Sequence, residues 1–392
     1  MNQNKDRIVV TGMGTVSSYG VDDKALWSAI QNGVLPPMQT DVDSKEVPRV
    51  VRVNQFEATE FLGKKGLQFK QYSSLYLSVA SVLALNDASI DIESVQSDRL
   101  GIVVSTNYIG LKMSSKFDKT SITEGPKFVS PMQTPNTVVN SPASYLAIRI
   151  QSRAFNTTIA SGFCAGLDAL GYAISMLKKK NADTVVVGGT EEWNDEIEWY
   201  YENAGLLPKK DFEKSGKAFH PESKGIMPGE GSAAVVLERY EDAVKRGATI
   251  LGELVSWYSC FTPTESSESR IRGSIRCMDT AIQKGHEYNK NIDLIISGAN
   301  GLPEQDSIEL HALNQSFPNT PILGIKNTIG ETSGAGGLFQ LVSSIHAIRN
   351  KKIAGHALLN SSSNELNDIR TALLTGNNLS GATSAVLVKE FI

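Results

Sequence analysis

The residues of this chain with the most chemical promise lie in one turn. The segment Thr157-Thr-Ile-Ala-Ser-Gly-Phe-Cys-Ala-Gly-Leu-Asp-Ala-Leu-Gly171 passes from a β-branched stretch through small residues into a helical pattern. A strand-to-helix elbow of this kind exposes one side chain and aims the positive end of the helix dipole at it. A cysteine placed there has a lowered pKa and becomes a nucleophile. Here the side chain at the turn is the phenyl ring of Phe163, which cannot attack a carbonyl, and Cys164 follows one residue later. Two readings of that thiol stand side by side. It is either a nucleophile favoured by the helix N-terminus, or a small side chain packed behind the elbow, as free Cys usually is.

The elements that must hold such a turn recur. Leu167, Leu170, Ile174 and Leu177 repeat at helical spacing and predict a helix over 166–178, followed by a Lys/Asn turn and a strand over 184–187. Later, Pro321-Ile-Leu-Gly-Ile-Lys leads to a Gly-rich turn between Gly330 and Gly337, then a helix over 338–348, Lys351-Lys352 and a strand over 353–359. A strand–turn–helix–strand unit used twice points to an internal duplication. Strands alternating with helices imply an α/β fold with mostly parallel mixed sheets covered on both faces. The polar stretches at 262–270 and 361–367 read as surface loops.

Three further blocks accompany the elbow. They are Arg7-Ile-Val-Val-Thr-Gly-Met-Gly-Thr-Val-Ser-Ser-Tyr-Gly20, Asn181-Ala-Asp-Thr-Val-Val-Val-Gly-Gly-Thr-Glu-Glu192 and Gly225-Ile-Met-Pro-Gly-Glu-Gly-Ser-Ala-Ala-Val-Val-Leu-Glu238. In order and spacing they resemble the β-ketoacyl synthases of fatty-acid and type II polyketide assembly, over nearly the whole chain. The resemblance implies the five-layered thiolase-like fold, α-β-α-β-α, built from two duplicated halves, 1–249 and 250–392. Counting back from Val187-Gly188-Gly189, the family's nucleophilic Cys falls on Phe163. The run Gly166-Leu-Asp-Ala-Leu-Gly171 is similar to the chain length factors, the non-condensing partners of type II polyketide ketosynthases, which usually carry Gln where Phe163 stands.

The resemblance also places two histidines that polarise substrate carbonyls. The first falls eight residues before Asp306, on Gly298; the second, after a Lys-x-x-x-Gly run, falls on Glu331. Nucleophile and both donors are therefore absent together. Lys326 matches a family lysine whose carboxylate partner falls here on the neutral Gln340, so an inward-facing Lys326 finds its counter-charge in Glu331; the other reading has Lys326 reaching solvent. By position, Leu111, Met113 and Phe117 match the tunnel-closing side chains of chain length factors, or else pack an ordinary core. Met132, Gln133, Asn136 and Thr137 match the segment that crosses to the partner's pocket. The family's Gly-Phe-Gly-Gly gate is replaced by Asn378-Leu379-Ser380-Gly381, which leaves Leu379 as a reduced gate.

These matches lead to the expectation of a non-catalytic chain length factor that heterodimerises with a ketosynthase. It would bound the tunnel in which carrier-bound malonyl units undergo decarboxylative condensation. The alternative is a self-sufficient acyltransferase using Cys164. The expected partners are a ketosynthase subunit and an acyl carrier protein, with no cofactor and no metal. Carrier proteins are acidic, and Lys64-Lys65 and Lys178-Lys179-Lys180 are candidate docking patches, or simply solvated helix ends.

Composition fits this reading. The chain has 392 residues, 41% hydrophobic and 20% charged, with a net charge of −4 that argues against a general affinity for nucleic acid. No apolar run approaches the roughly 20 residues that span a bilayer. The polar start Met-Asn-Gln-Asn-Lys-Asp-Arg lacks the apolar stretch of a signal peptide, and a cytoplasmic location is expected. Cys164, Cys260 and Cys277 read as too few and too scattered for a disulfide framework or a zinc site. His220, His286, His311, His346 and His356 show no metal-ligand spacing and read as surface or hydrogen-bonded structural residues.

Overall fold

In a computed structural model of the chain, residues 7–34, 38–39, 50–93, 96–208, 215–263, 266–285, 291–360 and 365–392 are described. Ten strands form the main sheet. In chain order they are β1 (Ile8–Val16), β2 (Leu100–Ser105), β3 (Asn156–Ile159), β4 (Thr184–Glu191), β5 (Gly231–Arg239), β6 (Gly252–Phe261), β7 (Leu294–Ile296), β8 (Ile322–Leu323), β9 (Thr371–Asn377) and β10 (Ala382–Lys389). The spatial order is β8-β7-β9-β10-β6-β1-β5-β4-β2-β3.

That order contains one pattern twice. In the run β3-β2-β4-β5-β1, the first three strands are parallel and the last two join antiparallel. The run β8-β7-β9-β10-β6 repeats this arrangement strand for strand. The two runs meet where Ile8–Val10 of β1 pairs antiparallel with residues 252–254 of β6. The sequence duplication is thus a duplication of sheet topology.

The side chains show why the strands read as apolar runs rather than alternating ones. Val103, Val185, Val187 and Val235 face a central core, while Ile102, Val104, Val186 and Val236 face an outer one, so both sides of each strand are buried. The central core also takes Leu294, Ile296, Leu374 and Val386 from the second run, and between the runs lie helices α3 (Ala165–Lys178) and α7 (Gly336–Asn350). Helix α1 (Tyr72–Asp87) covers the first run from outside. Helices α5 (Ser267–Lys284) and α6 (Pro303–Ser316) cover the second. This is the five-layered thiolase-like architecture.

Helix 166–178 and strand 184–187 correspond to α3 and β4. The strand expected over 353–359 is different. Only Lys352–Ala354 is extended, and it pairs with Glu365–Asn367 in a separate two-stranded ladder. The strand that completes the second unit is β9. Local apolar pattern could not reveal this, because parallel partners are chosen by packing across the sheet and not by proximity in sequence.

The cysteines also differ from the sequence reading. Cys260 near the end of β6 and Cys277 in α5 are neighbours, because α5 packs directly on β6.

Candidate functional site

The elbow is built as its residues dictate. β3 ends at Ile159, Gly162 takes φ +66°, and a 3-10 turn over Gly162–Cys164 leads into α3. Its counterpart in the second unit is the 3-10 turn Ser333–Ala335, which leads into α7. Asn107, just beyond the C-terminal end of β2, holds both turns. Its Oδ1 accepts from Gly162 N at 2.9 Å, and its Nδ2 donates to Gly162 O at 3.0 Å and to Ser333 Oγ at 2.7 Å. Ser105 Oγ donates to Gly334 O at 2.7 Å. Asn107 escaped the sequence reading. The signal available was a short polar run at the C-terminal end of a parallel strand, where open α/β sheets place their sites.

Phe163 is 7% exposed. Its ring belongs to a cluster with Trp193, Ile197, Tyr201, Leu206, Ile226 and Leu302. Tyr108 stacks against Tyr201 edge-on at 5.5 Å and against Tyr200 at 5.4 Å, so an aromatic chain runs outward from the elbow.

Cys164 is fully buried, with Sγ 3.6 Å from Ala382 O. Burial pushes its pKa well above the ordinary thiol value, and Asp168 pushes it the same way; the nearby Lys326 opposes them without prevailing. The packed-thiol reading therefore fits the surroundings of Cys164, and the nucleophile reading does not.

The two positions where the resemblance places histidines are tightly packed. A side chain at Gly298 would bring its Cβ within 2.7 Å of Thr375 O and 2.9 Å of Gly376 Cα, so histidine cannot enter without moving backbone. Glu331 is buried and its carboxylate is committed. Oε2 accepts from Lys326 Nζ at 2.6 Å and from Asn300 Nδ2 at 2.7 Å, and Oε1 accepts from Ser333 N at 2.7 Å. Lys326 Nζ also donates to Gly298 O at 2.8 Å and lies 5.7 Å from the Phe163 ring centroid. Lys326 is buried rather than solvated, 3% exposed. Gln340 donates to Ile296 O and Thr375 O, both at 2.9 Å, and so ties β7 to β9.

A second buried acid sits beneath the two turns. Glu191 accepts from Asn107 N, and burial pushes its pKa from the ordinary 4.5 to about 8 against the pull of these backbone donors. Among the described residues no group of three or more His, Cys, Asp or Glu is placed to hold a metal ion. His346 lies against Asp23 at 2.7 Å and stacks on Trp27; His220, His311 and His356 are exposed; His286 lies outside the described residues. Lys64, Lys65 and Lys178 to Lys180 are exposed.

Leu111, Met113 and Phe117 lie on helix α2 (Leu111–Thr123), in which no residue is buried. Leu111 lines a groove of about 520 Å³ with Ser114, Asp118, Trp199 and Tyr200, the last two from helix α4 (Asp195–Asn203). Met113 and Phe117 are half-buried and do not line it. Met132 is 62% exposed, whereas Asn136 turns inward and donates to Phe69 O and Gln133 Oε1. Thr137 closes a local turn onto Thr134 O. Leu379 is exposed on the turn between β9 and β10, and its neighbour Asn378 donates to Ser161 O at 3.2 Å.

Among solved structures, the chain superposes on one described as the ishigamide ketosynthase/chain length factor, with TM-score 0.87 at 18% identity over 99% of this chain and 100% of that one. A β-ketoacyl synthase from Burkholderia phymatum matches equally well, with TM-score 0.87 at 19% identity over 99% and 100%. These likenesses concern the fold. In sequence, the 3-oxoacyl-[acyl-carrier-protein] synthase 2 of Coxiella burnetii is 26% identical over 361 residues, covering 88% of this chain and 86% of that protein. The profile for the β-ketoacyl synthase N-terminal domain matches residues 5–243, and that for the C-terminal domain matches residues 258–360. The chain belongs to the β-ketoacyl synthase family.

Proposed function

We infer that this family member has lost the chemistry and kept the architecture: it is a chain length factor, the non-catalytic partner of a ketosynthase. The observation that carries this reading is the elbow itself. Phe163 stands where the nucleophile would, packed into an apolar cluster with Trp193 and Tyr201. Around it, Gly298 has no room for a side chain, and Glu331 has its oxygens engaged by Lys326, Asn300 and Ser333. None of the three positions can form or stabilise an acyl-enzyme.

The surface supports a partner. Ile122, Phe128, Met132 and Val138 are large, apolar and exposed along one stretch of chain, and α2 beside them leaves no residue buried. β3 ends the sheet, and among the described residues its outer edge pairs with no strand. In this reading a ketosynthase covers that face and supplies the nucleophile and donors. It condenses malonyl units delivered by an acyl carrier protein, and side chains of α2 bound the tunnel that the growing chain enters. One of the solved structures that share the fold is named for such a ketosynthase/chain length factor pairing.

The test is to present acyl-thioester and malonyl carrier protein to the purified chain alone, and then to the chain with a ketosynthase. Intact mass follows acylation of each chain. The expected result is no acyl adduct on this chain and condensation only with the partner. Stoichiometric acylation of this chain on Cys164, or product from the chain alone, overturns the reading.

A further inference from the structure

Two of the three cysteines are placed for chemistry of their own. Tyr258 and Cys260 are two apart on β6 and share one face of the strand; Gly273 and Cys277 are four apart on α5 and share one side of the helix. Cys260 Sγ lies 3.5 Å from Gly273 O, and Cys277 Sγ lies 3.3 Å from Tyr258 O. Each sulfur thus rests against a carbonyl of the other's element, and Cys277 Sγ also lies 3.4 Å from the carbonyl O of Thr383, the cross-strand partner of Cys260. Cys277 is fully buried, whereas Cys260 is half-buried beside the Arg276 guanidinium. The neighbouring Cys277 thiol, helped by Arg276, lowers the pKa of Cys260, and Cys260 together with burial raises that of Cys277. An accessible thiolate beside a resolving thiol is the arrangement of redox-sensitive cysteines.

We propose that Cys260 and Cys277 are a redox pair, a dithiol that closes reversibly to a disulfide when a peroxide reaches Cys260. The Cys260 thiolate attacks the peroxide, breaks its O–O bond and becomes a sulfenic acid; the departing hydroxide takes up the Cys260 proton as water. Cys277 sulfur then attacks the sulfenic sulfur, an S–S bond forms, and the Cys277 proton leaves with the sulfenic hydroxyl as a second water. Two thiols are oxidised and one peroxide is reduced. A dithiol reductant reverses the change by exchange.

The bond would pin α5 to β6. From the N-terminal part of α5, Arg270 donates to Gln305 Oε1 and to Asn378 O, and Asn378 in turn donates to Ser161 O at the elbow. Cys164 is the internal control, since it is buried and held as a thiol.

The test treats the folded, full-length chain with hydrogen peroxide at near-stoichiometric dose, followed by thiol counting, intact mass and peptide mapping. The expected result is a fall from three titratable thiols to one, loss of the mass of two hydrogens, and a linked peptide pair containing Cys260 and Cys277, all reversed by a dithiol. C277S should leave Cys260 as a sulfenic acid that a dimedone probe traps; C260S, at the half-buried position, should leave Cys277 and Cys164 unmodified. Overturning results are oxidation of Cys260 with no link to Cys277, links only between separate chains, or all thiols surviving the treatment.

Discussion

At the scale of single residues, the buried Lys326–Glu331 pair gives the sharpest expectation. Removing one partner of a buried ion pair leaves an uncompensated charge and costs about 3–5 kcal/mol. Glu331→Gln should therefore lower unfolding stability by about that much. Lys326→Met with Glu331→Leu should cost less, although not zero, because Asn300 Nδ2 and Ser333 N then lose their acceptor. A double-mutant unfolding cycle reads the coupling, and additive single effects would contradict the contact. Phe163→Cys should gain no condensing activity, since Gly298 still has no space for a donor. It should also lose stability on the order of 3 kcal/mol, because the ring leaves a cavity in its aromatic cluster; acylation assays and melting curves check the two halves of that statement. Glu191 predicts a pH dependence. With its folded pKa near 8 and its ordinary value 4.5, the folded chain keeps a proton that the unfolded chain releases between those limits. Stability therefore falls as pH rises through that window, and Glu191→Gln should flatten the fall when denaturant midpoints are measured across it. The sequence was informative where the family resemblance could be carried over at fixed offsets: Phe163, Gly298, Glu331 and Lys326 were all named by counting along its motifs. It was silent on Asn107 and Asn300, because polar residues in loops acquire their meaning only from what the sheet brings opposite them.

At the scale of elements, α2 and the stretch that follows it are under-packed for an isolated chain. If a ketosynthase covers them, Phe128→Asp with Met132→Asp should weaken the complex at least tenfold while leaving the melting point of the free chain nearly unchanged, because both side chains already face solvent. Sedimentation of the mixture and calorimetry of the chain alone separate those effects, and a destabilised free chain would mean the residues pack internally. Leu111, the one member of the proposed tunnel trio that lines the groove toward Trp199 and Tyr200, bears on product length. Leu111→Ala should lengthen the products of the complex without slowing its condensation, as read by mass spectrometry of the product mixture. Elements were legible where they are long and periodic, as α3 and α7 are. The strand expected over 353–359 failed because a short apolar run after a helix looks like the next strand, and only the parallel pairing of β9 with β7 shows that the chain detours first. The meeting of Cys260 with Cys277 was hidden for a related reason: which helix face packs on which strand face is a tertiary choice.

At the scale of the whole molecule, the two half-sheets join through β1 and β6, and the helices between them approach closely at Gly166 and Gly337. A Cβ on Gly166 would lie 2.7 Å from Gly337 N, and one on Gly337 would lie 2.5 Å from Leu167 N. Only glycine at both positions lets the backbones approach this closely. Gly166→Ala or Gly337→Ala should therefore destabilise the entire cooperative unit and broaden or lower its melting transition, far beyond the roughly 1 kcal/mol by which alanine ordinarily favours a helix over glycine. A mutant that melts like the parent would show the crossing to be yielding. Phe163 lies only three residues before that contact, on the opposite side of the same turn. The turn that carries Phe163 and the crossing at Gly166 are thus three residues apart and make different demands, a packed ring at the first and no side chain at the second. Change at position 163 is met by repacking a cluster of side chains, whereas change at position 166 or 337 has to be met by moving backbone.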